Sequence, residues 1–515
     1  MRLAWLGALV PVALASAQGA GPDLLVAEIG SVVAVGELGG VSAYSLATTV
    51  CNVGDQDAVW IANTPEHPLF LFNAYRLENG RLEQLGQGWA HHTTVPLQSN
   101  ACGSCQPAAG FQALGVGCST SNSAFALSDP SQLGPRSEVD GFTGGFPFPF
   151  TAPPGTVTAI SRRLQIERDD LDPLLHPGAR YFVEAAIVAA SDASAGNAGN
   201  NASFREVSVG PLVGGNFALL NVGSTQMGSS VLAAWPQLDP TAQVVNVRVP
   251  GEGELLAGAS VTDNGNGTWH YEFTVANLDS HVGARSFRVP VHSSVTVTGL
   301  GFRDAPVHSG EPVSNADWVG QRTPNDVRWF TDEFAVDPLA SALRFRTQAN
   351  FWFDADAPPC AGQGVLGLFR PHPVTSLGVG LSIPMPPSVT ASELIRNGTP
   401  PNPVALLPGQ TTRPLLGSTW DPWVDHTSFQ PGAVLDLLAI DPRGGAVDLP
   451  TAFGRLLVPI NPPTRLLSTA PGSAFLVAVP ARCDLMGVQV SAQAASLGPG
   501  GLLLTNSLDI VLGDL

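Results

Sequence analysis

No lysine occurs anywhere in the 515 residues; all 24 basic residues are arginine. That absence excludes a Schiff-base lysine, a phosphate-loop lysine and a serine–lysine dyad. The chain also lacks a GxSxG elbow, an HExxH helix and an EF-hand loop, so the specific signatures of familiar hydrolases and calcium loops are missing. Positive charge is scarce: 42 acidic residues against 24 arginines leave a net charge of −18. Such a surface repels phosphate backbones, and nucleic acid is excluded as an expected partner. Past the N-terminus no apolar run approaches the ~18 residues of a membrane span, so no span is expected in the mature chain.

What is present at the N-terminus reads as an export signal. Met1 and Arg2 precede an apolar run from Leu3 to Leu14, broken only by Gly7 and Pro11, and Ala15-Ser16-Ala17 supplies a small-x-small cleavage site. A signal peptide over 1–17 predicts a secreted or cell-surface protein. Export changes the meaning of the six cysteines, Cys51, Cys102, Cys105, Cys118, Cys360 and Cys483. In an oxidising space an even count reads as disulfides, two among the first four and one between Cys360 and Cys483. The rival reading is a zinc site built on Cys102-Gly103-Ser104-Cys105. Pairing among the first four stays open.

Fifty-six glycines, 45 prolines and 44% hydrophobic residues are too apolar for disorder and too rich in breakers for long helices. The expected fold is all-β: tandem β-sandwich modules, immunoglobulin-like or jelly-roll-like, with a few short helices. The pattern divides as 18–210, carrying four cysteines, then 211–372 and 373–515. The clearest strand is Thr268 to Val275, which places Trp269, Tyr271, Phe273 and Val275 on a core face and His270, Glu272 and Thr274 on the other. Short helices are expected from Asp337 to Leu343 and from Ser229 to Trp235. A faint echo links Thr49-Val50-Cys51-Asn52-Val53 with Thr274-Val275-Ala276-Asn277-Leu278, each an apolar strand closed by a turn-forming Asn.

Several segments are distinctive: Tyr75-Arg76-Leu77 with Gly80-Arg81-Leu82-Glu83-Gln84-Leu85-Gly86, Gly115-Val116-Gly117-Cys118, Leu133-Gly134-Pro135-Arg136, Trp269-His270-Tyr271-Glu272, and His308-Ser309-Gly310-Glu311-Pro312. On these the chain resembles a family of large secreted proteins of planctomycete-type bacteria whose function is not known. The resemblance covers the first two regions and hardly touches the third. It implies export and carries no activity. Similar proteins tend to have Tyr after the Glu-Pro pair, where this chain has Val313.

Four groups of residues offer chemistry. His270 and Glu272 share a strand face, and with His308, Glu311 and Asp317 they provide imidazole and carboxylate ligands suited to zinc or another transition ion. Against this, the spacing is no metal motif, and these residues equally suit a solvated sheet face and a fastened loop. Trp89-Ala90-His91-His92, with Glu83 nearby, is weaker because adjacent strand residues face opposite ways. Calcium is the structural ion expected from hard oxygen ligands, at Asp192, Asn197, Asn200 and Asn201 or at Asp169, Asp170 and Asp172; a transition metal is the less favoured cofactor. Asp and Asn also fill loops simply because they favour turns. Among Trp318, Trp329, Trp352, Trp420 and Trp423, the pair Trp420 and Trp423 around Asp421-Pro422 is expected to be exposed as a sugar-stacking surface. The function expected is a structural or binding protein outside the cell, with extracellular polysaccharide or cell-surface components as partners. The alternative is a metal-dependent extracellular hydrolase of polysaccharide built on His270, Glu272, His308 and Glu311.

Overall fold

A computed structural model describes residues 20–151 and 156–515; the signal segment 1–17 lies outside the described residues. Strands pair antiparallel into three successive β-rich units, and α-helix among the described residues is limited to Ala190–Ala195 and Trp235–Leu238. The all-β reading therefore holds. No helix among the described residues is long and apolar enough to cross a membrane.

The first unit packs two sheets face to face. One runs Leu24–Leu38, Val41–Asn52, Leu164–Glu167; the other runs Asn216–Gln226, Ala202–Val213, Arg180–Val188, Leu69–Glu78, Ala90–His91, Leu133–Gly134. Alternate residues from both, among them Val26, Tyr44, Leu46, Phe70, Phe72, Val183 and Ile187, fill the core between them. Arg81–Gln87 joins Leu69–Glu78 through a two-residue turn in which Asn79 and Gly80 have φ of 51° and 79°. Both central positions of this hairpin need positive φ, and Asn-Gly supplies it. The turn fixes where Arg81, Leu82, Glu83 and Gln84 project.

The second unit is a sandwich of two five-stranded sheets. One is Gln243–Arg248, Glu254–Asp263, Trp269–Asn277, Gln348–Ala355, Val297–Asp304; the other is Val319–Arg322, Asp326–Phe330, Ala284–Pro290, Pro359–Leu368, Ser376–Pro384. Tyr271, Phe273 and Val275 enter the core against Phe287, Trp329, Phe351 and Phe353, as the alternation requires. The opposite face is not solvated: Glu272 and Thr274 are also buried. The hairpin of the first unit covers it.

The third unit is built on one sheet, Ser392–Arg396, Gly501–Val511, Gln489–Gly498, Leu435–Asp441, Arg465–Thr469, with short two-stranded pairs packed beside it. Sheet pairing carries the first unit to Gln226 and the second to Pro384, beyond residues 210 and 372. Gly214 and Gly215, both at positive φ, form the turn of the hairpin that joins Ala202–Val213 to Asn216–Gln226.

The stretch from Asp337 to Leu343 is a series of turns and not a helix. The Asp337 side chain accepts the Leu339 N–H and Leu343 bridges to Ala284. The second expected helix occupies Trp235–Leu238 and not Ser229 to Trp235, with Val231 to Ala234 in turns ahead of it. The Asn echo has a shared structure. Asn52 accepts from Asp23 and Gly54 amides and donates to the Gln56 and Leu114 carbonyls, and Asn277 accepts from the Ser280 amide and donates to the Ser280 and Leu343 carbonyls.

All six cysteines are paired: Cys51–Cys102, Cys105–Cys118 and Cys360–Cys483. This resolves the open pairing and leaves no thiol for the zinc alternative. Three disulfides fit a protein that works in an oxidising, extracellular setting.

Candidate functional site

The structure does not bring the five metal-ligand candidates together. His270 Nδ1 lies 2.9 Å from Asp354 and its Nε2 3.5 Å from Glu272, and the hydrogen bond with Glu272 raises the imidazole above its ordinary pKa. Glu272 is held by Arg81, at 3.0 and 2.8 Å from Nε and Nη2, and by Asn350 at 3.2 Å. It therefore joins the first unit to the second. His308 sits in the seam beside Trp89, with its ring nitrogens 2.8 Å from the Ser309 and Arg163 carbonyl oxygens. Glu311 accepts the Arg136 amide at 2.6 Å and the Ser137 amide at 3.4 Å. Asp317 is exposed. Among the described residues no three His, Cys, Asp or Glu side chains are grouped as a metal site would require.

The calcium candidates are engaged in protein hydrogen bonds. Asp192, fully buried, accepts the Leu24 amide and the Asn201 side-chain amide, and burial pushes its carboxyl up to about 6. Asn197 donates to Pro22 and Asn200 to Asp23. The Oδ1 atoms of Asn200 and Asn201 have no hydrogen-bond partner among the described residues. Asp170 pairs with Arg303 at 2.7 Å and Arg76 at 3.4 Å, Asp172 accepts the Leu174 amide, and Asp169 is exposed.

The expected exposed tryptophan pair is corrected. Trp420 is 2% exposed because its short strand pairs with Val477–Ala478 and turns the ring into the third unit's core, where its Nε1 donates to Glu393. Trp423 is half-buried, so no flat platform forms. Trp318 and Trp329 are buried, and Arg81 stacks over Trp352 at 3.6 Å.

His91 and His92 face different neighbours: His91 approaches the Ala126 carbonyl at 3.1 Å, whereas His92 is enclosed by Phe146, Phe148 and Phe150 and neither of its ring nitrogens has a partner among the described residues. Burial lowers His92 to about 4. The unfolded chain binds a proton near the ordinary value of about 6.5 that the folded chain refuses, so this group removes stability as pH falls from there toward 4. Replacing His92 by Leu removes that dependence. The stability gap between H92L and the parent is expected to move in the variant's favour by up to about 1.4 kcal/mol per pH unit below pH 6.5. Urea titrations at pH 7.5, 6 and 5 measure it, and a gap that does not change with pH refutes the assignment.

What the fold does bring together is a narrow cleft between the first two units. Gln87 and the Arg136–Glu138 turn line it on one side; the end of the strand at Asp304, the loop through Glu311 and Val313, the turn around Arg344, and Phe369-Arg370 line the other. Arg136 forms its floor, 5% exposed, donating to Asn73 Oδ1, Arg346 O, Phe72 O and Gly88 O. Burial lowers its guanidinium to about 10, which leaves it charged at neutral pH. Burial, with Asp317 adding repulsion, pushes the Asp304 carboxyl up to about 7; burial also raises Glu311. Arg344 is lowered to about 10 by burial and by the Arg370 charge. Displaced titratable groups of both signs in one concave cleft make it the candidate site of this structure.

Sequence reasoning reached Glu311 but missed Arg136, Asp304, Arg344 and Arg370. The available signal was arginine inside apolar text, as in Leu343-Arg344-Phe345-Arg346 and Phe369-Arg370. No protein-family model and no curated protein matches the chain.

Proposed function

We propose that this chain is an extracellular binding protein, secreted or held at the cell surface, that takes part of a polysaccharide into the cleft between its first two units. The observation that carries the reading is the convergence of Arg136, Asp304, Glu311, Arg344 and Arg370 on one concave seam. A seam that served only to join two units would be expected to pair its charges internally. The three disulfides and the resemblance to secreted planctomycete-type proteins support an extracellular setting. Polar groups lining a cleft between modules suit a hydroxyl-rich ligand, and the net charge of −18 argues against nucleic acid.

Hydrolysis is a second reading: Asp304 lines the cleft, and burial pushes its carboxyl up to about 7, where it is protonated often enough at neutral pH to act as a general acid. The metal-dependent form of that reading has less support, because its four residues serve different parts of the structure.

A screen of the purified chain against immobilised polysaccharides and a glycan array tests the proposal, with Val313→Trp placed in the cleft lining as a block. Binding that V313W weakens about tenfold or more is the expected result. Binding to no glycan, or undiminished binding by V313W, refutes it; release of reducing ends from a bound polysaccharide selects the second reading.

A further inference from the structure

Two arginines in the cleft, Arg344 and Arg370, make no ion pair among the described residues. Arg344 lies 5.0 Å over the Phe369 ring and Arg370 lies 5.3 Å over Phe334, while the two phenylalanines meet edge to face at 5.3 Å. An aromatic pair thus holds one guanidinium on each ring, and both guanidinium groups line the same cleft. Arg344 Nη2 donates to the Pro338 and Ala340 carbonyls, and its buried Nε has no partner. Among the described residues the Arg370 side chain makes no hydrogen bond and neither arginine is in an ion pair, although eleven other arginines are.

This is unexpected in a chain with 42 acidic residues. The acids whose charges act on the pair are Glu311, Asp337 and Asp140. Each is occupied by backbone amides: Glu311 by Arg136 and Ser137, Asp337 by Leu339, Asp140 by Phe142 and Thr143. The nearby carboxylates accept backbone amides, and among the described residues neither half-buried cation has an ion-pair partner, while the Arg344 Nε and the whole Arg370 guanidinium have no acceptor. Desolvating like charges side by side is unfavourable unless an anion joins them.

Resting on the reading of this cleft as the ligand site, we infer that the group it takes is an anion, the carboxylate or sulfate ester of an acidic polysaccharide, gripped between Arg344 and Arg370. The planar guanidinium fork matches a carboxylate or sulfate through paired N–H donors. Both arginines line the cleft, so a substituent that enters it meets the two guanidinium groups.

Calorimetric titration of the full chain tests the inference with three probes: an oligogalacturonate, the same oligomer fully methyl-esterified, and a sulfated galactan fragment. The expected result is that the acid or the sulfated fragment binds, that the methyl ester binds at least about tenfold more weakly, and that R370Q weakens the anionic probe by about tenfold. The Arg370 side chain makes no hydrogen bond among the described residues, so R370Q is expected to fold normally, and equal melting temperatures check this; R370K, which keeps the charge without the fork, recovers part of the affinity. Preference for the carboxylate over the sulfate, or the reverse, identifies the group. Equal binding of acid and ester, or an R370Q variant that binds like the parent, overturns the anion inference. If V313W still abolishes binding of a neutral glycan in that case, the cleft reading survives alone; if none of the three probes binds, the inference falls.

Discussion

Replacing Arg136 with methionine is expected to lower the unfolding free energy of the first two units by about 3–4 kcal/mol. The guanidinium occupies the seam and touches both units, through Asn73, Phe72 and Gly88 on one side and Arg346 on the other. The acceptors do not all lose equally. Arg346 O keeps Gln84 and Asn73 as donors, and Phe72 O keeps the Gly88 amide. Gly88 O and Asn73 Oδ1 depend most on Arg136, and hydrogen bonds to a charged donor are worth about 1.5–3 kcal/mol each. Two such bonds, with methionine retaining most of the packed stem, give the figure above. Lysine keeps the charge but cannot span four acceptors, so R136K should recover less than half of the loss. Urea titration followed by tryptophan fluorescence measures both variants. A loss below about 1 kcal/mol for R136M would show that the seam holds without its arginine.

The same seam marks the limit of what the sequence discloses. Alternation along Trp269 to Val275 was sufficient to place Tyr271 and Phe273 in the core, because a period of two is a local property. The fate of the other face was not local. His270, Glu272 and Thr274 are compatible with solvent, a metal or a partner module, and only the Asn79-Gly80 hairpin, nearly 200 residues earlier, decides it by setting Arg81 against Glu272 at 2.8 Å. The disulfides were legible as a class from cysteine parity and export, whereas the Cys51–Cys102 and Cys105–Cys118 pairing needed the folded loop. Trp420 was misread for a related reason. Asp421-Pro422 does look like an exposed loop, but Asp421 accepts the Thr411 and Thr412 amides and draws the turn onto the sheet, which buries the ring beside it. The cleft was missed because its three arginines, Arg136, Arg344 and Arg370, come from separate stretches of chain, and arginine inside apolar text marks burial without showing which arginines meet.

Removing the Cys360–Cys483 disulfide is expected to have the largest effect on stability. Cys360 lies on Pro359–Leu368 of the second unit and Cys483 opens the turn Cys483–Leu485, so the bond closes 123 residues that include most of the third unit. In the chain-entropy treatment a loop of that length raises the free energy of the unfolded state by about 5 kcal/mol. Packing adds to this at the folded end: Cys483 enters the core of the second unit and Met486 packs against it, so the bond anchors the third unit at a point where its side chains already meet the second. The double variant C360S/C483S avoids a free thiol that could pair wrongly. It should unfold in two calorimetric transitions, the third unit first and at the lower temperature, where the parent shows closer coupling. Proteolysis below that first transition should cut between the last strand of the second unit, Ser376–Pro384, and the first of the third, Ser392–Arg396. A single transition displaced by less than the equivalent of about 2 kcal/mol would mean that the packing of Cys483 and Met486 holds the third unit in place without the covalent bond.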